Sequence, residues 1–189
     1  SLLRPTGKLS IELWVYRANW AASQSSKTLA GNFENGGYGI GFNSTSKLEF
    51  RIKRNNLNVA INYAATSTLC AGWHHVAGTF DGRFTKLYID GALVTTNDAG
   101  STANFPVQYM HSNAFIIGAE ATTTTTPMAN SYFLGKIDDV RVWDTARTQT
   151  QIQASKNFQS GANARLVTYH RFNQGTAGGT NTAITTSTD

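Results

Sequence analysis

The chain has 189 residues, of which 40% are hydrophobic and only 14% charged. That is enough apolar material for one sizeable core and one domain, and the abundance of Thr, Ser, Asn and Gly suits an all-β extracellular module better than a helical cytosolic enzyme. Sixteen Lys and Arg against eleven Asp and Glu give a formal charge of +5. The basic residues are scattered rather than clustered, which excludes a nucleic-acid footprint, and no run of about 18 apolar residues exists to insert into a membrane.

The chain opens on SLLRPTGKLSIELWV and stops on TTSTD. Ser1 does not begin a signal peptide, and both ends read as cuts from a longer protein. The first predicted strand is LSIELWVYR: Ile11, Leu13 and Val15 alternate with Glu12, Trp14 and Tyr16, so both faces carry large residues and both are expected to be covered. After the polar loop ANWAASQSSKT come two further strand segments, LAGNF and GGYGIGFN. In the second, Tyr38, Ile40 and Phe42 alternate with Gly37, Gly39 and Gly41, a pattern that allows close approach of another backbone or of aromatic rings. KLEFRIKR is a half-buried strand with Leu48, Phe50 and Ile52 inward and Glu49, Arg51 and Lys53 outward. Asn55-Asn56 turns it into LNVAINY.

The densest stretch is GWHHVAGTFDGRFTKLYIDGALV. Asp81-Gly82 and Asp90-Gly91 are hairpin turns, the second with the residue pair preferred where both central residues need φ > 0. Val76, Gly78 and Phe80 share one face of the first strand, and His75, Ala77 and Thr79 the other. Three antiparallel strands therefore follow one another. His74 and His75 point to opposite faces, so they cannot together ligate one metal, and both read as architecture. Cys70 stands alone in the sequence, which rules out an internal disulfide; it reads as a small buried hydrophobe, with nothing beside it to mark a nucleophile.

GSTANFPVQYMHSN and ATTTTTPMANSY read as loops, the second too polar and Pro-broken to pack. Between them AFIIGAE is a short buried strand. FLGKIDDVRVW is a strong strand, and YHRF ends the pattern. One stretch, DTARTQTQIQASKNF, reads as helix, from about Thr148 to Asn157. Thr148 and Gln151 have the spacing of a capping box, and Ile152 faces the core. About ten short strands with regular turn signals predict an all-β fold, a sandwich or jelly roll.

The order of these pieces resembles the laminin-G-like domains of the concanavalin A-like lectin/glucanase superfamily. LSIELWV, GWHHVAGTFDGRFTKLYIDGALV, FIIGAE, FLGKIDDVRVWDTART and LVTYHRFNQGTAGG carry the resemblance, over nearly the whole chain. It implies one jelly-roll domain over residues 1–189, built from two antiparallel sheets and set in a secreted or cell-surface protein. It also implies a non-catalytic module that binds a glycan, or else an adhesion or spacer domain that binds a cell-surface protein; as a domain it is expected to be monomeric. The superfamily includes glycoside hydrolases, whose retaining members need two carboxylates about 5 Å apart. Glu12, Glu34, Glu49 and Glu120 stand far apart in sequence, and the adjacent Asp138 and Asp139 face opposite ways, so no strand carries such a pair. Nothing resembles a nucleophile elbow.

A sugar site needs aromatic rings with polar neighbours, because a ring stacks on the apolar face of a sugar while amides and carboxylates read its hydroxyls. Trp20, Tyr38, Tyr109, His111 and Tyr132 lie in or beside loops and are the candidates. Trp14, Trp73 and Trp143 are assigned to the core. In IDDVRVW, strict alternation puts Asp138 on one face with Val140 and Val142, and a carboxylate on an apolar face is costly unless paired or bound to a cation. The resemblance implies a structural calcium near this position. Asp138 would be its anionic ligand, and backbone carbonyls of the loop LAGNFENGG near Asn32 or Glu34 the others; the alternative is that Asp138 accepts backbone N–H bonds or pairs with an arginine.

Overall fold

The computed structural model describes residues 3–32, 36–64, 66–100, 106–110, 114–120, 127–158 and 163–173. Its strands are β1 (Leu9–Arg17), β2 (Lys27–Gly31), β3 (Tyr38–Phe42), β4 (Leu48–Arg54), β5 (Leu57–Tyr63), β6 (Gly72–Phe80), β7 (Phe84–Ile89), β8 (Ala92–Asp98), β9 (Ile116–Ile117), β10 (Lys136–Trp143) and β11 (Leu166–His170). The helix α1 (Gln149–Ser155) separates the last two, and a short 3-10 turn, Thr66–Thr68, precedes β6. Two antiparallel sheets result, one ordered β11-β10-β1-β6-β7-β8 and the other β5-β4-β3-β2-β9. This is the jelly-roll sandwich that the strand pattern predicts. Among the described residues no helix is long and apolar enough to cross a membrane.

The core lies between the sheets, as period-two alternation requires. Ile11, Leu13 and Val15 of β1, Val76 and Phe80 of β6, and Val140 and Val142 of β10 meet Ile40, Leu48, Phe50 and Ile52 of the facing sheet. Asp90 and Asn56 close their hairpins at φ 52° and 59°, the left-handed conformation that Asn, Asp and Gly adopt at least cost.

The other face of β1 is covered too. Thr148 caps α1 through Gln151 N–H, and the Gln151 side chain returns the bond to the Thr148 N–H. Ile152 then packs on Ala77 and Tyr88. α1 thus lies on the outer face of the six-stranded sheet, over Glu12 and its neighbours.

One strand departs from simple alternation. In β10, Asp138 pairs with Trp14 and Arg141 with Glu12. Asp139 and Val140 therefore share the single position opposite Leu13, and Asp139 takes φ 52°: a β-bulge. The extra residue flips the face of everything before it. Asp138 lies with Trp14 on the outer face, and Ile137, opposite Val15, packs on the core. The expected grouping of Asp138 with Val140 and Val142 is corrected by this bulge.

Candidate functional site

A cleft of about 410 Å³ lies on the outer face of the five-stranded sheet, within the range of small-ligand sites. The strand register builds it. Gly41 lies between Thr28 on β2 and Glu49 on β4, and Gly39 lies beside Arg51. The floor is glycine because β2 and β3 close up there: a Cβ on Gly41 would sit 2.6 Å from the Lys27 carbonyl oxygen. Ser26, Thr28, Asn43, Glu49, Arg51 and Glu120 supply the polar walls. Burial pushes the Glu49 carboxyl up from its usual range, while Arg51 and a hydrogen bond from Asn43 pull it back. Arg51 Nε stands 3.8 Å from Glu49 Oε1. The cleft therefore offers hydroxyls, an amide, a guanidinium and two carboxylates in one open trough. Such groups can donate to and accept from a polyhydroxylated ligand.

The sequence contained a partial signal for this site. Outward Glu49 and Arg51 follow from the alternation of KLEFRIKR, and the run of alternating glycines marks an uncovered floor. What it lacked was the loop geometry that brings Glu120 alongside.

The aromatic candidates do not converge. Trp20 and Tyr38 are buried in the sandwich core, so their faces are closed to a sugar. Trp20 packs on Phe42, at one end of β3, and on His74. Tyr38 starts the same strand at its other end and donates its hydroxyl to the Leu3 carbonyl. Tyr109 is half-buried beside Tyr38, its hydroxyl bonded to the Pro5 carbonyl at 2.7 Å. Tyr132 is 56% exposed. His111 lies outside the described residues. Trp143 is buried, but under α1 rather than between the sheets, with its Nε1–H donated to Glu12 Oε1 at 2.9 Å. Trp73, assigned to the core from sequence, is instead 43% exposed at the sheet end, against Tyr16.

Of the residues expected to share a calcium ion, Asp138 and Asn32 belong to different sheets. The Asp138 carboxylate is half-buried on the outer face of the six-stranded sheet, where Oδ1 accepts the Asp139 N–H at 2.8 Å. Burial pushes this carboxyl up, and that hydrogen bond pulls it back. Asn32 follows β2 in the other sheet, and its Oδ1 accepts the Tyr38 N–H. Packed sheets stand about 10 Å apart, whereas calcium ligands lie within about 2.6 Å of the ion. Glu34 lies outside the described residues. Among the described residues no three His, Cys, Asp or Glu side chains are grouped to hold a metal.

Beneath α1 lies a second polar assembly. Glu12, His75 and Arg141 are fully buried and Arg147 nearly so. Glu12 Oε1 accepts from Arg147 Nη1 at 2.6 Å, and Arg141 Nη1 stands 3.9 Å away. Burial pushes Glu12 up, opposed by the two arginines, and lowers His75 to about 3, mainly by desolvation and then by Arg141. The cluster is closed to solvent and reads as architecture.

A family model described as concanavalin A-like lectin/glucanases superfamily, of laminin-G type, matches residues 1–153. Pappalysin-1 of Mus musculus is 34% identical over 89 residues, 47% of this chain but only 5% of that protein's length. Among solved structures, a candidate carbohydrate binding protein from Bacteroides ovatus superposes with a TM-score of 0.66 at 22% identity, covering 87% of this chain and 45% of that one. A heptameric pentraxin from Limulus polyphemus superposes with a TM-score of 0.55 at 17% identity, covering 82% and 73%. Likeness at these identities speaks for the fold.

Proposed function

Because the chain belongs to the concanavalin A-like lectin/glucanases superfamily, through its laminin-G type, we propose that it is a non-catalytic carbohydrate-recognition module whose site is the cleft over Gly41. The observation that carries this reading is the convergence of Glu49, Arg51, Asn43 and Glu120 with the hydroxyls of Ser26 and Thr28 around one glycine-floored trough. The ligand is read by hydrogen bonds from the walls rather than by ring stacking. A neighbour of the same fold named for carbohydrate binding supports the ligand class. The same reading makes the domain one module of a secreted or cell-surface protein, with a glycan as its partner.

A glycan array tests this. The wild-type domain is expected to retain a defined subset of oligosaccharides. Glu49→Gln and Arg51→Met are each expected to weaken that binding about tenfold or more, since hydrogen bonds to charged groups contribute roughly 1.5–3 kcal/mol. Retention of no glycan, or binding that both variants leave intact, overturns the proposal.

A further inference from the structure

We infer that the ligand of the glycine-floored cleft is a sugar bearing a free amine, a hexosamine that is not acetylated, and that the cleft turns away sugars bearing an acid group. The inference rests on the carbohydrate reading above and narrows it to one charge class. Two carboxylates, Glu49 and Glu120, line the cleft against one guanidinium, Arg51. The chain as a whole carries +5, and all sixteen of its Lys and Arg lie among the described residues. Of these, Arg51 alone lines the cleft. Lys27, between Ser26 and Thr28 in sequence, sends its Nζ to the Asn130 carbonyl instead. A basic protein therefore keeps an excess of negative charge in this trough.

Register and turn geometry fix the two acids. Glu49 lies between Gly41 on β3 and Asn62 on β5, and its side chain is only 13% exposed. Its contact with Arg51 Nε, at 3.8 Å, is longer than a hydrogen bond. Burial outweighs both Arg51 and Asn43 in setting its proton affinity, so a further positive charge beside Glu49 would favour the ionised form. Glu120 is held through its backbone. Its N–H donates to Ser131 Oγ at 2.9 Å, and its carbonyl accepts the Met128 N–H at 2.7 Å. Those two bonds keep Glu120 in the wall opposite the strand that carries Glu49.

The donors and acceptors of the walls match an ammonium group. Ionised carboxylates only accept, and hydroxyls accept as well as donate. Asn43, the one side-chain amide among the described lining residues, is largely spent on the wall itself. Its Oδ1 accepts the Thr45 N–H, the Thr45 hydroxyl and the Lys47 N–H, and its Nδ2 donates to Asn62 Oδ1 at 2.9 Å. Little of it is left to read an acetamido group. An ammonium brings three donors and no acceptor, so it can meet the glutamates and the oxygens of Ser26 and Thr28 with nothing left unmatched. A sugar carboxylate or sulfate would instead be set against two like charges. Arg51 remains to donate to ring hydroxyls and to keep Glu49 ionised.

The test is a titration of the domain with linear tetrasaccharides of glucosamine, N-acetylglucosamine and glucose, and with the matching galactose series, at about pH 6, where a sugar amine is protonated. Within a series only the substituent on one ring carbon changes. The free-amine member of at least one series is expected to bind about tenfold tighter than its acetylated partner at low salt, because a charge-assisted hydrogen bond is about twice as strong as a neutral one. The positive charge of the whole chain opposes this lead, so long-range attraction does not supply it. At about 1 M salt, where the screening length is about 3 Å, the lead is expected to shrink. Glu49→Gln and Glu120→Gln are each expected to cut the affinity ratio to about twofold or less, by removing the charge from one hydrogen bond. A merely structural loss would weaken both sugars alike and leave the ratio where it was. Acetylated or parent sugars that bind as tightly as the amine in both series, or a lead that neither variant reduces, overturn the inference. Neutral glycans held through Glu49 without such a lead would overturn it and leave the carbohydrate reading standing, whereas retention of no glycan in any form overturns both.

Discussion

Glu12 and Arg147 stand 135 residues apart in the chain and meet at 2.6 Å with almost no access to water. The bond ties the segment leading into α1 to the centre of β1, and Arg147 also holds α1 itself through the Gln151 carbonyl and the Ser155 hydroxyl. Removing Arg147 leaves the buried Glu12 carboxylate only Arg141 at 3.9 Å and the Trp143 N–H, and removing Glu12 leaves two buried guanidiniums without their shared carboxylate. Arg147→Met and Glu12→Leu are each expected to destabilise the domain by about 3–5 kcal/mol, and the double substitution by less than the sum of the two. Denaturant unfolding of the four proteins checks this; strict additivity would show that the pair does not act as a unit.

His75 is buried against the same cluster, its Nε2 3.8 Å from Glu12 Oε2; burial first, then Arg141, Lys156 and Arg147, disfavour its protonation, with Asp90 opposing them. Its ring is held neutral down to about 3, against an ordinary value of 6.5. The unfolded chain therefore binds this proton more readily than the folded one. Stability is full above about pH 6.5 and falls as the pH drops toward 3, by about 1.4 kcal/mol per pH unit for one proton. His75→Phe keeps the edge contact with Trp14 and removes the proton. Unfolding free energies between pH 6.5 and 4 are expected to lose about one proton's worth of slope in the variant, and an unchanged slope would contradict this.

Gly78 lies on the core face of β6, where an added Cβ would overlap the Phe50 ring of the facing sheet. Gly78→Ala is expected to destabilise the domain by about 1–3 kcal/mol through overpacking. A thermal or denaturant midpoint at or above that of wild type would contradict it.

The fold was largely legible because its signals are local. The alternation of LSIELWVYR and KLEFRIKR, the Asp90-Gly91 turn and the Thr148–Gln151 box each depend on a few neighbouring residues, and each appears in the structure as read. The site was less legible because it depends on irregularities. The β10 bulge at Asp139 reversed the face of Asp138, and alternation alone has no means of marking an extra residue. Trp73 stands in a dense apolar stretch, yet the register places it at the end of the outer face, opposite Tyr16 and 43% exposed. Cys70, read as a small buried hydrophobe, is exposed in the turn before β6.

The bulge bears directly on metal dependence. With Asp138 and Asn32 in different sheets, Asp138→Asn is expected to change the melting midpoint equally with and without a calcium chelator. A stabilisation by calcium that disappears in this variant would show that the two residues share an ion after all.

The central claim is that the glycine-floored cleft holds a carbohydrate. The most direct measurement is a titration of the isotope-labelled domain with an oligosaccharide selected on the array, followed through its backbone amide resonances. The account predicts saturable shifts concentrated at Thr28, Gly39, Gly41, Asn43, Glu49 and Arg51, with α1 and Trp73 unmoved. Shifts centred on Trp73, Tyr132 or α1, with the cleft amides unchanged, would contradict it.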